Sequence, residues 1–290
     1  NKKNYMIKIT IYFLQSILIY LFFFIGKVLG IKISRKIFSY LFLLLGPIFR
    51  SKKIINKNLE IYSSEVGGMD KKEICREMWK NYGMTFIEYM FLKHLRNNNS
   101  HVIIKGEENL IDARKINKPI IFISGHFANF ELMSMEITKK NIQLATIYRP
   151  LNNIFLNPLM EFLRKKYICK NQIKKGINGV RETIDYIKKN YSIALMIDQR
   201  VSEGEKINFF GKTALTTTLP AQLSIKFNLN IVPVFIKRSR DGKFNIEFQK
   251  AIVPNNFKNK IDLTKELNRI LEKMIVRNPN QWIWTHNRWK

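Results

Sequence analysis

The chain has 290 residues, 46% hydrophobic and 12% aromatic, enough apolar material for one large domain or two small ones and too much for global disorder. Lys and Arg total 50 against 22 acidic residues, a formal charge of +28. That charge points to an anionic partner, whether lipid phosphate, an acidic carrier protein, an anionic bilayer or nucleic acid, although part of it goes with the joint richness in Lys, Ile and Asn that an A- and T-biased genome gives. Cys75 and Cys169 stand far apart, outside any CxxC or Cys/His spacing, which argues against a disulfide framework and a zinc site and suits a reducing compartment.

Residues 9–26, "ITIYFLQSILIYLFFFIG", form an 18-residue run without charge. As a helix the run reaches about 27 Å, close to the thickness of a bilayer core, and it is apolar all round, unlike a core helix. Lysines flank it on both sides (Lys2, Lys3 and Lys8 before; Lys27, Lys32, Arg35 and Lys36 after), and no small-x-small cleavage signal follows. The run reads as an uncleaved membrane anchor over residues 1–30, with a slight lean towards a cytoplasmic C-terminal side. A second apolar run, Ile37–Phe49, is too short to span and is interrupted by Gly46-Pro47. It either lies in the interface beside the first or caps the core.

Residues 31–96 read as mainly helical and residues 97–290 as an α/β core, with no repeat and no Pro/Gly/Ser linker between them. In that core, apolar β-branched runs at 101–106, 119–124, 142–148, 192–197, 230–238 and 243–252 predict strands. Helical periodicity predicts helices over 129–140, 156–167, 179–190, 219–228 and 262–279, the last capped by Asp262 or Thr264. Strands alternating with helices predict an α/β fold with a largely parallel sheet, whose ligands gather at the C-terminal strand ends. His126, Arg149 and Asp198 all fall at such ends.

"GHFANFE" places His126 at a strand exit and Glu131 five residues on. Within one helix that spacing separates side chains by about 140°. With His126 in the turn and Glu131 in the first helical turn, the carboxylate can point back, hold one ring N–H and leave the other nitrogen as a base. The plain alternative is a buried histidine in a turn. Arg149, in "YRPLNN", can fork a phosphate or carboxylate, or simply be a surface arginine. Asp198, with Gln199 and Arg200 in "LMIDQR", must be hydrogen-bonded or functional; pairing with Arg149 or Arg200 is its structural explanation. Thr216–Thr218 read as an N-cap region.

"GHFANFE", "YRPLNN", "DQRVSEGEKINFFGKTALTTTLPAQLS", "IVPVF" and "PNQWIWTHNRWK" together resemble the late acyltransferases of lipid A biosynthesis, within the wider H-x4-D/E glycerolipid acyltransferase superfamily. The likeness runs from the anchor to Trp289. It implies transfer of a fatty acyl chain from an acyl carrier protein thioester to a hydroxyl of a glycolipid precursor, at the cytoplasmic face of the bacterial inner membrane. His126 and Glu131 match the catalytic pair; Arg149, Asp198 and Gln199 match substrate-site positions. The thioester is the co-substrate, and no metal, cofactor or nucleic acid is implied. The chain departs from many relatives in carrying Phe130 where they have Trp and Ala128 where they have Gly, and Arg200 follows the Asp-Gln pair where some have an acid. Two other readings stand beside this one: the same chemistry on another lipid, such as a lysophospholipid or a glycosylated phosphatidylinositol, and a non-catalytic, basic, membrane-anchored binding protein, with "QWIWTHNRWK" as a stacking platform.

Overall fold

The computed structural model describes residues 2–68 and 70–290. The side chains of Lys2 and Lys3, part of the basic flank expected before the anchor, lie outside the described residues. Helix α1 (Lys2–Phe49) turns sharply at Gly30, whose φ of 77° and ψ of 164° lie where a side chain is disfavoured. The turn folds the two arms together, bringing the Phe22 and Phe38 rings 5.6 Å apart. Ser34 donates across the turn to the Gly26 carbonyl at 2.7 Å. Helices α2 (Lys52–Val66), α3 (Lys71–Glu88) and α4 (Leu92–Asn97) follow. The second apolar run does two things. Its Phe38 is buried against Phe86 of α3, while Leu44, Ile48 and Phe49 remain exposed. At the crossing of α1 and α3 stands Gly83, where a Cβ would lie 2.0 Å from the Phe38 carbonyl oxygen.

The rest of the chain alternates, with α5, β4, β6 and β7 added to the predicted elements: β1 (Val102–Lys105), α5 (Glu107–Arg114), β2 (Ile121–Ser124), α6 (Glu131–Lys139), β3 (Leu144–Tyr148), α7 (Asn157–Tyr167), β4 (Asn171–Lys174), α8 (Ile177–Lys188), β5 (Ser192–Met196), the hairpin β6 (Glu205–Phe209) and β7 (Lys212–Thr216), α9 (Leu219–Phe227), β8 (Ile231–Arg238), β9 (Phe244–Phe248) and α10 (Lys260–Arg277). Seven strands make one sheet in the order β1-β9-β8-β2-β5-β3-β4. Strands β8, β2, β5, β3 and β4 run parallel; β9 pairs antiparallel with β8, and β1 parallel with β9. This is an α/β fold with a largely parallel sheet, as expected. Pro233 sits where β8 changes partner, from β2 through Ile231–Pro233 to β9 from Val234 on, a point where a missing N–H costs little.

Alternation along the central strands divides the core into two layers. Ile121 and Ile123 face α2, α3, α9 and α10, whereas Ile120 and Phe122 face α1, α4, α6 and α7. Helix α10 begins earlier than the sequence suggests. Asn259 is its cap, accepting from the Ile261 and Asp262 amides at 2.8 and 3.0 Å, so Asp262 and Thr264 lie inside the first turns. Of the three threonines before α9, Thr216 belongs to β7 and Thr217 accepts from the Leu219 amide. The terminal "WIWTHNRWK" is no surface platform: Trp282, Trp284, Arg288 and Trp289 are all buried. Arg288 donates to the Leu215 carbonyl and the Thr216 hydroxyl.

Candidate active site

Strands β2 and β5 are paired neighbours with Ser124 opposite Met196. Two residues beyond, the same register sets His126 against Asp198. The His126 ring Nδ1 lies 2.7 Å from one Asp198 oxygen, and the His126 backbone N–H donates to the other at 2.8 Å. That second oxygen also accepts from the indole N–H of Trp282 at 2.8 Å. Gly125 makes the approach possible, since a Cβ there would meet Phe127 at 2.8 Å and Asp198 at 3.3 Å. Burial alone would raise the Asp198 pKa. The His126 charge and the three donors outweigh it and hold the carboxyl at about 2. Asp198 is therefore a fixed anion that keeps the imidazole proton on Nδ1. The imidazole side chain is 18% exposed against 3% for Asp198, so the ring reaches the surface while its partner does not.

Here the structure corrects the sequence reading. Among the described residues, the carboxylate that holds the His126 ring is Asp198 and not Glu131. Glu131 opens α6 and accepts instead from the Tyr89 hydroxyl at 2.5 Å and from Arg164 Nε at 2.7 Å. The reason is direction: in the first turn of α6 its side chain turns towards α7, which carries Arg164. Burial opposes the charge of Arg164, but Glu131 and Tyr89 outweigh it and raise the guanidinium pKa. The Nη1 nitrogen of Arg164 is buried without a partner among the described residues. Asp198, for its part, pairs with neither Arg149 nor Arg200.

Arg149 lies exposed just past β3 and Gln199 half-buried just past Asp198, at the same sheet edge as the dyad; neither makes a side-chain hydrogen bond with the described residues. Lys175, beside Arg149, has its pKa lowered by burial first and then by the Arg149 charge. His286, from the terminal segment, accepts the Arg200 N–H through Nε2 at 2.9 Å. Burial above all, with His126, Arg288 and Lys175 adding to it, pushes its pKa down to about 4 against the opposing pull of Asp198. It is thus a neutral imidazole near the dyad.

The loop between His126 and Glu131 is fastened at each step. Ala128 takes a φ of 46°; its N–H donates to the Gln281 carbonyl at 3.0 Å, and its carbonyl accepts from Thr85 at 2.9 Å. Asn129 donates to Glu88 at 2.9 Å. Glu88 is fully buried, and burial alone would raise its pKa, yet Arg238 and Arg35 lower it. Arg35 donates to it at 2.6 Å, and Arg238 is tied besides to Asn81 and Thr85. Sequence reasoning missed Trp282, Arg164, Tyr89 and Glu88. A buried Glu in an otherwise periodic helix was the one available signal. Among the described residues no group of three or more His, Cys, Asp and Glu is placed to hold a metal ion.

The family described as "Bacterial lipid A biosynthesis acyltransferase" matches residues 1–290. The chain is 24% identical over 249 residues to the lipid A biosynthesis palmitoleoyltransferase of Escherichia coli K12 and 23% identical over 251 residues to the lauroyltransferase of the same organism, covering 83% of this chain and 79% of each relative. It is 22% identical over 268 residues to a lipid A biosynthesis acyltransferase of Haemophilus influenzae, covering 87% of this chain and 82% of that one. Among solved structures, a 1-acyl-sn-glycerophosphate acyltransferase from Thermotoga maritima aligns with a TM-score of 0.42 and 14% identity, over 88% of this chain and 100% of that one.

Proposed function

Because the chain belongs to the bacterial lipid A biosynthesis acyltransferase family and is an acyltransferase, we propose that it transfers a fatty acyl chain from an acyl carrier protein thioester to a hydroxyl of a lipid A precursor. The binding-only alternative falls with that membership. The observation that carries the mechanism is the 2.7 Å contact between His126 Nδ1 and Asp198. With the ring proton held on Nδ1, Nε2 is the free base. It takes the proton of the acceptor hydroxyl as the oxygen attacks the thioester carbonyl, an effect typically worth about 10²–10⁴-fold. The tetrahedral intermediate then expels the carrier thiolate, which recovers the proton from the imidazolium that Asp198 stabilises. The ester forms without an acyl-enzyme and without a metal or cofactor.

Glu131 holds Arg164 in place, and Arg149 and Gln199 remain the polar groups proposed to meet the substrate at the strand ends. We divide the chain into an anchor over residues 1–30 and an acyltransferase domain over residues 31–290. The anchor joins a water-soluble donor to an insoluble acceptor at the bacterial inner membrane, with the catalytic domain on the cytoplasmic side. The stretch of α1 from Asn4 on is long and apolar enough to cross a membrane, and the net charge of +28 suits an acidic carrier and phosphorylated sugars alike.

The test is acyl transfer from a labelled carrier-protein thioester to a lipid A precursor by the unmodified protein and by His126→Ala. Transfer that falls by two or more orders of magnitude in a variant with an unchanged melting profile supports the base assignment. Transfer only to a lysophospholipid or a glycosylated phosphatidylinositol would move the acceptor, and no transfer to any lipid would refute the proposal.

A further inference from the structure

Four large apolar side chains stand exposed where the sheet ends at β3 and β4: Leu151 (37%), Ile154 (54%), Ile177 (80%) and Val180 (39%). Single exposed aliphatics are ordinary on a soluble surface; these four follow the ends of two paired strands. Tyr148 and Lys174 are register partners, and the Lys175 N–H donates to the Tyr148 carbonyl at 2.8 Å. Leu151 and Ile177, each three residues beyond a partner, therefore follow adjacent strand ends. The loop that carries Leu151 and Ile154 is tied by its own side chains. Asn153 Oδ1 accepts from the Phe155 and Leu156 amides at 3.0 and 3.1 Å, and Asn157 accepts from the Leu151 amide at 2.8 Å.

The same loop is joined to the first arm of α1. Ser16 donates to Asn153 at 2.9 Å, Asn153 donates to the Tyr12 carbonyl at 2.9 Å, and Tyr20 donates to the Phe155 carbonyl at 2.8 Å. Phe13 and Phe155 meet edge to face at 5.4 Å. On that arm Ile11, Ile17 and Leu21 remain open. The patch thus continues the apolar face of the anchor. Arg149, Lys174 and Arg181 stand near it in the chain, all exposed. The acids nearby are Glu161, which is engaged by Tyr148 and Lys174, and the exposed Glu182 and Glu203. An apolar patch with a basic rim fits the headgroup and upper acyl region of an anionic leaflet.

We propose that the loop after β3 and the start of α8 form a second membrane-contact surface, which enters an anionic bilayer beside the anchor and sets the His126 end of the sheet against the lipid. The inference rests on the membrane-anchor reading above. Its test uses the full chain carrying Cys75→Ser and Cys169→Ala, with one cysteine introduced at Ile177, Ile154, Ile17 (anchor) or Ile116 (exposed, before β2) and labelled with a polarity-sensitive fluorophore. Each protein is reconstituted into vesicles of phosphatidylglycerol and phosphatidylcholine containing lipids with quenching nitroxides both near the headgroup and deep in the acyl chain. Probes at Ile177→Cys and Ile154→Cys should each lose about half of their emission or more, as at Ile17→Cys, while Ile116→Cys is unaffected. On phosphatidylcholine alone the loss at position 177 should shrink and that at position 17 persist. If 177 and 154 behave like 116 while 17 is quenched, the second surface is refuted and the anchor stands. If 17 is not quenched either, both fall. Equal quenching of 177 on uncharged vesicles would overturn the part given to the cations. Shielding that depends on protein concentration rather than on lipid would assign the patch to a second copy of the chain.

Discussion

Replacing Asp198 by Asn tests the dyad at the level of a single proton. One Asp198 oxygen accepts from two fixed donors, the His126 amide and the Trp282 indole, so the oxygen of the new amide must take that place. Its NH2 then faces His126 Nδ1, which has to become an acceptor. The ring proton moves to Nε2, and the nitrogen that should take the hydroxyl proton no longer can. In a Ser-His-Asp triad on another fold the same change costs about 10⁴ in kcat. Here kcat should fall by about 10³–10⁴, roughly 4–5.5 kcal/mol of barrier, with KM within about threefold because no substrate contact is lost.

The substitution also leaves a thermodynamic trace. The Asp198 pKa is held at about 2 against an ordinary 3.8. A depressed folded-state value means stabilisation that is present above about pH 4 and lost as the pH falls towards 2, roughly 2 kcal/mol in size. Asp198→Asn should lack that acid-side loss in denaturant titrations. The kinetic assay is carrier-protein thioester to lipid acceptor, run beside Glu131→Gln. If Asp198→Asn keeps a tenth or more of wild-type kcat while Glu131→Gln loses several orders of magnitude, Glu131 orients the base after all and the reasoning fails.

Gly83→Ala forces a methyl into the Phe38 carbonyl, where the gap is 2.0 Å. It should destabilise by about 1–3 kcal/mol or more, seen as a lowered Tm. Glu88→Gln leaves the guanidinium of Arg238, itself 4% exposed, and that of Arg35 without their anion. A loss of about 3–5 kcal/mol is expected in urea titrations, with activity falling as the Asn129 contact loosens. A chain with Cys75→Ser and Cys169→Ala should transfer acyl groups at a rate within about twofold of wild type, since burial raises both thiol pKa values and neither is a ready nucleophile. Loss of turnover in a folded Cys-free protein would point to a covalent intermediate.

Strands β2 and β5 were legible because both are short runs apolar but for one serine each, the signature of a strand buried on both faces. Strand β4, "NQIK", was missed because it is an edge strand with one buried residue. The β6–β7 hairpin was missed because its lysines and threonines hide the alternation. The same contrast holds at the site. His126 and Asp198 each announced themselves as polar residues after apolar strands. Their pairing did not, because it depends on which strands become neighbours. Glu131 took the orienting role on sequence proximity and on the family resemblance. Arg164 reads as one more cation on an amphipathic helix, and only packing carries it to Glu131.

The dyad inherits its alignment from a strand register rather than from a loop that can readjust. One residue of extended chain advances about 3.3 Å and reverses the side chain. An insertion or deletion between Ser124 and His126, or between Met196 and Asp198, would therefore carry one partner out of reach and turn it to the opposite face. Descendants of this chain can exchange side chains around the pair with some freedom. They cannot change length at either strand exit without losing it, so sequence drift in the family should appear there as substitution, with gaps confined to stretches such as residues 201–204 that lie between the dyad and the hairpin.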